Sequence, residues 1–344
     1  MYRFSRDLGI DLGTANVLIY AEGKGIVLRE PSVVAVDKND GKVIAVGSAA
    51  RNMMGRTPGN VEAVRPMRTG VISDYDMTEK LLSGVLKSVI GYSLIRPRVV
   101  ISVPSGITEV EERAAIQAAM EGGARRAYLI EEPLAAALGA DLDVAGPKGQ
   151  MVVNIGGGIT DIAVISMGGV ASSASIHVGG DTFDEAIIAY VRRHFGLLIG
   201  ENTAEEVKIT IGGVMERQEE LKMQVKGRDL KTGLPRECTV SSAELLETFK
   251  RPARQILDEI LKVLEQTAPE LVADLPSTGI VLTGGGSLLY GMAELISQRT
   301  EIPCRVADDP DACVVKGCGK SLAWISSMQE GTINLARRKI MQEI

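Results

Sequence analysis

Residues 151–166 (MVVNIGGGITDIAVIS) pass from an apolar run through a polar Asn154 into Gly156, Gly157 and Gly158, then beyond Thr160 and Asp161 into a second apolar run. That order predicts a β-hairpin with a glycine tip and two buried flanking strands. Residues 8–20 (LGIDLGTANVLIY) repeat it, with Asp11 where Asn154 stands, Gly13 at the turn, and Thr14 and Asn16 beyond. A supersecondary unit used twice predicts two related halves. Glycines at such a tip allow close approach to the backbone, and consecutive N–H groups there form an anion-attracting nest, for which phosphate is the natural occupant. An ordinary tight turn accounts for either tip alone. The shared pairing of a strand-end polar residue with glycines and a threonine favours the anion site.

Between the tips, short strands are expected at 25–29, 32–36 and 43–46, then a glycine- and proline-punctuated connector at 51–66. Residues 77–92 put Leu81, Leu82, Val85, Leu86, Val89 and Ile90 on one helical face, with Asp74 or Asp76 as cap. The loop that follows carries Leu94 and Ile95 beside Arg96 and Arg98, so its apolar pair is either folded back or offered to a surface such as a bilayer. A strand at 98–103 leads to a capping box, Thr108 with Glu111, opening a helix over 109–122. After a strand at 127–130, Glu131 and Glu132 precede Pro133 and a small-residue helix over 134–139. Two acids there fit a solvated helix start, or a group that orients water toward a phosphate held by the hairpins.

Past the second tip, a strand reaches Val178, and Gly179 and Gly180 lead to Asp181 as the expected cap of a helix over 182–195. A short helix over 203–211 carries Glu205, Glu206 and Lys208 behind an Asn/Thr cap. Residues 217–241 read as strands with a hairpin at 226–235, and 241–274 as two helices broken near Pro252 and Pro269. A strand at 279–282 then meets Thr283, Gly284, Gly285, Gly286 and Ser287, expected to open a helix over 288–299 and to receive a phosphate or nucleotide edge. A strand at 304–306, a helix over 312–328 and a charged tail with Arg337, Arg338 and Lys339 complete the pattern.

With 344 residues, 45% of them hydrophobic, the chain holds material for two cores. A formal charge of −6 argues against a general nucleic-acid binder. Four cysteines without a CxxC pair, and only two histidines, leave no metal-ligand set and read as reduced thiols. No apolar run reaches a membrane span and the start (MYRFSRD) lacks the apolar region of a secretory signal, so a cytoplasmic protein is expected.

Asp11-Leu12-Gly13-Thr14, the stretch 154–161 and Thr283-Gly284-Gly285-Gly286-Ser287 resemble the phosphate-1, phosphate-2 and adenosine motifs of the actin, Hsp70 and sugar-kinase superfamily. Within it, residues 9–16, 29–34, 55–60, 103–108, 130–133 and 227–230 resemble MreB, the bacterial actin family that includes Mbl and MreBH. The resemblance covers essentially the whole chain. It implies an α/β actin-like ATPase fold, two duplicated halves around a nucleotide cleft, each with a smaller subdomain. The implied division is 1–30, 66–140 and 318–344 (IA), 31–65 (IB), 141–180 with 242–317 (IIA), and 181–241 (IIB).

The resemblance also implies roles. Gly13, Thr14, Ala15 and Asn16 hold ATP phosphates from one side and Gly156, Gly157, Gly158 and Gly180 from the other; Glu205, Glu206 and Lys208 flank ribose and adenine; Gly284, Gly285, Gly286 and Ser287 bound the nucleoside. Asp11 anchors hydrated Mg²⁺, with Asn154 a weak partner, and Glu132 or Glu131 with Thr160 places the attacking water. The Leu94 and Ile95 loop inserts in the inner membrane face, and the chain forms paired protofilaments that organise the cell-wall elongation complex of a rod-shaped bacterium. Two departures stand out: Asn154 replaces the family's usual aspartate and Ile159 its usual threonine. Losing a carboxylate beside the metal predicts that ATP binding is kept and hydrolysis is slow. A sugar-type kinase shares the three glycine motifs, yet the insert after the first hairpin looks too short to supply an acceptor pocket; an Hsp70-like chaperone needs a substrate domain after the ATPase unit.

Overall fold

A computed structural model describes residues 7–68, 70–91 and 96–325. The Leu94 and Ile95 loop and the charged tail lie outside those residues. Both repeated stretches are antiparallel hairpins, Leu8–Leu12 with Asn16–Ala21 and Gln150–Ile155 with Thr160–Ser166. Each hairpin is the middle of a five-stranded sheet. In the first, Arg126–Glu131, Arg98–Val103, Leu8–Leu12, Asn16–Ala21 and Gly25–Pro31 lie side by side. In the second the order is Cys304–Val306, Ile280–Thr283, Gln150–Ile155, Thr160–Ser166 and Gly169–Ile176. Both pair a three-strand antiparallel meander with two later strands added parallel to its first strand. Parallel neighbours need a crossover, supplied by Glu109–Glu121 in one half and Met292–Thr300 in the other. Covered on both faces, these strands are apolar runs: Val99, Val100 and Ile101 are buried, as are Val281 and Leu282.

Each half has its own core, one around Ile10, Leu81, Leu82 and Ile101, the other around Met151, Phe183, Phe249 and Ile256. A third cluster joins them. Leu134 to Ala137, Val152, Ala163, Val314 and Cys318 pack where helix Glu132–Gly139 meets helix Cys313–Ile325. Small residues permit that approach: a Cβ on Gly139 would stand 1.8 Å from the Cys313 carbonyl oxygen, and one on Gly317 1.8 Å from that of Ala135. The small-residue helix is thus the spine between the halves. Two three-stranded sheets stand apart from it, Val34–Asp37 between Val43–Val46 and Val61–Val64, and Lys222–Asp229 between Leu197–Leu198 and Pro235–Ser241.

Several local expectations are corrected. The connector at 51–66 contains the strand Val61–Val64, which finds its partner in Val34–Asp37. Pro252 does not break its helix: Ser242–Gln266 is continuous, because Leu245, Phe249, Pro252, Ala253, Ile256 and Ile260 stay in phase on one buried stripe. Pro269 does open a second helix, Pro269–Thr278. Asp181 is not a cap; helix Gly180–Phe195 starts earlier, behind Gly179, and Asp181 lies in its first turn. The helix expected over 203–211 likewise starts at Glu201 behind Gly200. The glycine run at 284–286 leads into one 3₁₀ turn, Gly285–Leu288, and the α-helix Met292–Thr300 begins only after Gly291 at φ 81°. Two positive-φ glycines bracket that turn and keep the α-helix from reaching back to it.

Candidate functional site

The two hairpin tips face each other across a cleft of about 550 Å³. Their turns match: the Gly13 N–H donates to the Asn16 carbonyl at 3.1 Å and the Gly156 N–H to the Ile159 carbonyl at 2.9 Å. Asp11 and Asn154 therefore occupy equivalent places, two residues before each turn. The first tip is braced by Ser32, whose hydroxyl donates to the Gly13 carbonyl at 2.6 Å and whose N–H donates to that of Ala15 at 2.9 Å. The second is braced by the start of helix Gly180–Phe195, where the Gly180 and Asp181 N–H groups donate to the Gly156 and Gly157 carbonyls at 2.9 and 2.7 Å. No side chain fits at Gly179, whose Cβ would lie 2.6 Å from the Gly157 oxygen.

Of the residues singled out by sequence, Asp11, Gly13, Thr14, Ala15, Asn16, Glu132, Asn154, Gly156, Gly157, Gly158, Gly180, Glu205, Lys208, Gly284, Gly285 and Gly286 all line this one cleft. Glu131, Thr160, Glu206 and Ser287 are not brought to it. Thr160 is fully buried and its hydroxyl donates to the Val178 carbonyl at 2.7 Å. Ser287 is buried and donates to the Gly284 carbonyl at 2.6 Å, fixing the glycine turn. Glu206 is exposed, one residue round the helix from Glu205. Glu205 is paired with Arg51, and the Lys208 Nζ donates to Asp184 at 2.8 Å and to the Gly180 carbonyl at 3.0 Å. The sequence reading missed Gly70, Ile209, Arg217, Tyr290 and Asp311 as lining residues. Arg217 lies 4.0 Å over the Tyr290 ring at one end of the cleft, a contact with no local sequence signal.

The floor of the cleft is acidic. Burial pushes the Asp11 carboxyl up to about 7, with the Asp311 charge adding and a Ser102 hydrogen bond opposing. Burial, then the charges of Asp161 and Asp11, hold Glu132 well above the usual carboxylate range. Asn154 lies between them in role: its Nδ2 donates to Glu132 Oε2 at 3.3 Å and its Oδ1 accepts from the Thr283 hydroxyl at 3.2 Å. An ionised aspartate there could not donate to Glu132 and would add a charge to a cluster already short of positive partners. Asp11, Glu132 and Asn154 present hard oxygen atoms, the donor chemistry that Mg²⁺ takes, and a divalent cation would supply the missing charge.

Duplicated α/β halves, matched glycine tips and an intervening acidic cleft define the actin-like class of nucleotide-cleft folds. The chain belongs to the MreB/Mbl protein family, whose model matches residues 5–330. It is 51% identical over 328 residues to the cell shape-determining protein MreB of Escherichia coli strain K12, covering 94% of each chain. Among solved structures it resembles MreB5 of Spiroplasma citri bound to ADP, at 37% identity and TM-score 0.89, over 94% of this chain and 98% of that one. The AMPPNP-bound form of the same protein is similar at 36% identity and TM-score 0.87, with the same coverage.

Proposed function

We propose that this chain is an ATP-dependent bacterial actin-like cytoskeletal protein that polymerises on the inner face of the cell membrane and organises cell-wall elongation and rod shape. The observation that carries the reading is the pair of equivalent tips, Gly13 to Asn16 and Gly156 to Ile159, opposed across one cleft whose far wall is the glycine turn at 284–286. Opposed nests suit a polyphosphate gripped from both sides. The family membership and the likeness to structures bound to ADP and AMPPNP support it.

In this reading the first tip, with Thr14 and Ala15, holds the phosphates from one half and Gly156, Gly157 and Gly158 hold them from the other. Gly284, Gly285 and Gly286 bound the nucleoside, and Glu205 and Lys208, with Glu206 beside them, flank ribose and adenine. Asp11, with Asn154 as a neutral neighbour, would hold a Mg²⁺ ion, which would supply positive charge against the phosphates. Glu132 sits at the floor to orient the attacking water, and a cation beside it would oppose the burial and the Asp161 and Asp11 charges that raise its pKa. With an amide at Asn154 in place of a carboxylate, hydrolysis is slow. The four-part division into IA, IB, IIA and IIB follows the two large and two small sheets, and ATP favours their closed arrangement through contacts to both tips.

The protein is cytoplasmic and peripheral to the membrane, attached through Leu94 and Ile95, and its partners are further copies of itself in paired protofilaments. Among the described residues no helix is long and apolar enough to cross a membrane. Many weak anchors on one filament add through effective concentration. Cosedimentation with anionic liposomes, followed by electron microscopy, tests the reading. Filaments on lipid with ATP are expected; a protein that stays in the supernatant and phosphorylates a sugar would instead be a kinase of the same superfamily.

A further inference from the structure

Ile159 ends the second tip at the position where the first tip has Asn16, yet the two residues sit in opposite surroundings. Asn16 is exposed, whereas Ile159 is 4% exposed. One residue that covers Ile159 comes from the other half. A Cβ on Gly70 would stand 2.6 Å from both Cδ1 and Cγ2 of Ile159, so the glycine backbone lies directly on that side chain. Gly70 turns the short hairpin between Met67–Arg68 and Val71–Ile72, which is anchored in the first half through Met67 and Ile72. Its φ of 77° favours glycine, and its N–H donates to the Thr14 hydroxyl oxygen at 3.0 Å.

We propose that Ile159 is a positioning residue for the phosphate end of the cleft, an apolar latch that seats the second tip against Gly70 and, through Gly70, against Thr14. Among the described residues other contacts also cross the cleft: Gly157 on Ala15, Arg51 with Glu205, Arg65 with Asp181 at 3.4 Å, Arg29 with Asp311, and the Asn154 Nδ2 donating to Glu132 at 3.3 Å. All of these join protein to protein, so cleaving a phosphate removes none of them. The ion pairs are part-exposed and each shifts an equilibrium only about two- to fivefold. A buried aliphatic side chain is worth on the order of tenfold or more, so the latch dominates. Closure, and whatever assembly closure permits, is then only weakly coupled to the γ-phosphate.

This rests on the cleft being a nucleotide site, and the test separates the two. Calorimetry of the full chain with ADP and with ATP first establishes binding; no heat with either sinks both claims. Hydrogen exchange at the Gly70 amide, and pelleting, are then compared between the two nucleotides. For the natural chain the ADP and ATP values should agree within about twofold. In Ile159→Ser, exchange with ADP should rise about tenfold and the ADP pellet should fall, with ATP values little changed, while Ile159→Val, which keeps Cγ2 and loses Cδ1, should fall between that variant and the natural chain. A natural chain that opens in ADP, or an Ile159→Ser variant indistinguishable from it, overturns the latch and leaves nucleotide binding standing.

Discussion

The first tip places its carboxylate on the incoming strand, Asp11, with Leu18 opposite; the second places an amide there, Asn154, and its carboxylate opposite, Asp161. The turns themselves are the same, each closed by one N–H to carbonyl bond across three residues. One backbone device thus carries two chemistries. The first tip offers charge and a hydroxyl to the cleft, while the second offers bare glycine backbone and seals its flank with Ile159. In the proposed reading, a polyphosphate gripped from two sides needs the cation ligand on only one of them. The other side is then free to serve closure.

The largest expected effect of breaking this division is at Asp11. Replacing it by alanine removes the first tip's only carboxylate, and Mg-ATP affinity should fall on the order of 100-fold while tripolyphosphate without Mg²⁺ binds no worse. Equal losses for both ligands would mean that Asp11 acts through the fold and not through a cation.

Asp161 gives the next largest effect, with the opposite sign. It is fully buried and neither oxygen makes a hydrogen bond of ordinary geometry, although Ser175, Glu132 and the Ser105 backbone are near enough to favour its charge. Burial outweighs them and holds the carboxyl at about 6 against an ordinary 3.8. The folded chain therefore binds this proton more tightly than the unfolded one. The ionised group costs stability above about pH 6 and costs nothing below about pH 4. Asp161→Asn should raise the unfolding free energy by about 2 kcal/mol at pH 8 and leave it unchanged near pH 4, read by urea titration at both values.

Why the first tip and the glycine turns were legible in the sequence, and the latch was not, has a physical reason. Gly13, Gly156, Gly157 and Gly284 mark places where backbone must turn or be approached, and that demand is local. The repeated strand order followed from two similar apolar patterns, and the capping box at Thr108 and Glu111 forms as its spacing requires. Pro252 misled because a local rule met a long in-phase stripe. Thr160 and Ser287 misled because a hydroxyl beside a glycine turn serves the turn as readily as a ligand, and here both hydroxyls are spent on carbonyls. Gly70, Arg217 and Tyr290 meet the cleft only through tertiary packing, which no window of the sequence contains.

Asn154→Asp makes the second tip resemble the first. Phosphate release should then rise about tenfold, equivalent to about 1.4 kcal/mol of barrier. A rate no faster than that of the natural chain would show that the missing carboxylate is not what limits hydrolysis. The same variant should bind Mg-ATP at least as tightly, because the added charge sits where the cation is expected.

The smallest expected effect asks whether the tips communicate at all. Thr14 accepts the Gly70 N–H and Ile159 packs on the same glycine, so one residue touches both tips. Thr14→Val removes a part of that contact worth about 1 kcal/mol, and Ile159→Ala removes the apolar part. If Gly70 links them, the double variant should lose about 0.5–1 kcal/mol less than the sum of the singles in urea unfolding without nucleotide, since freeing the hairpin once forfeits both contacts. Strict additivity would place Thr14 and Ile159 in independent halves and confine the latch to its own side chain.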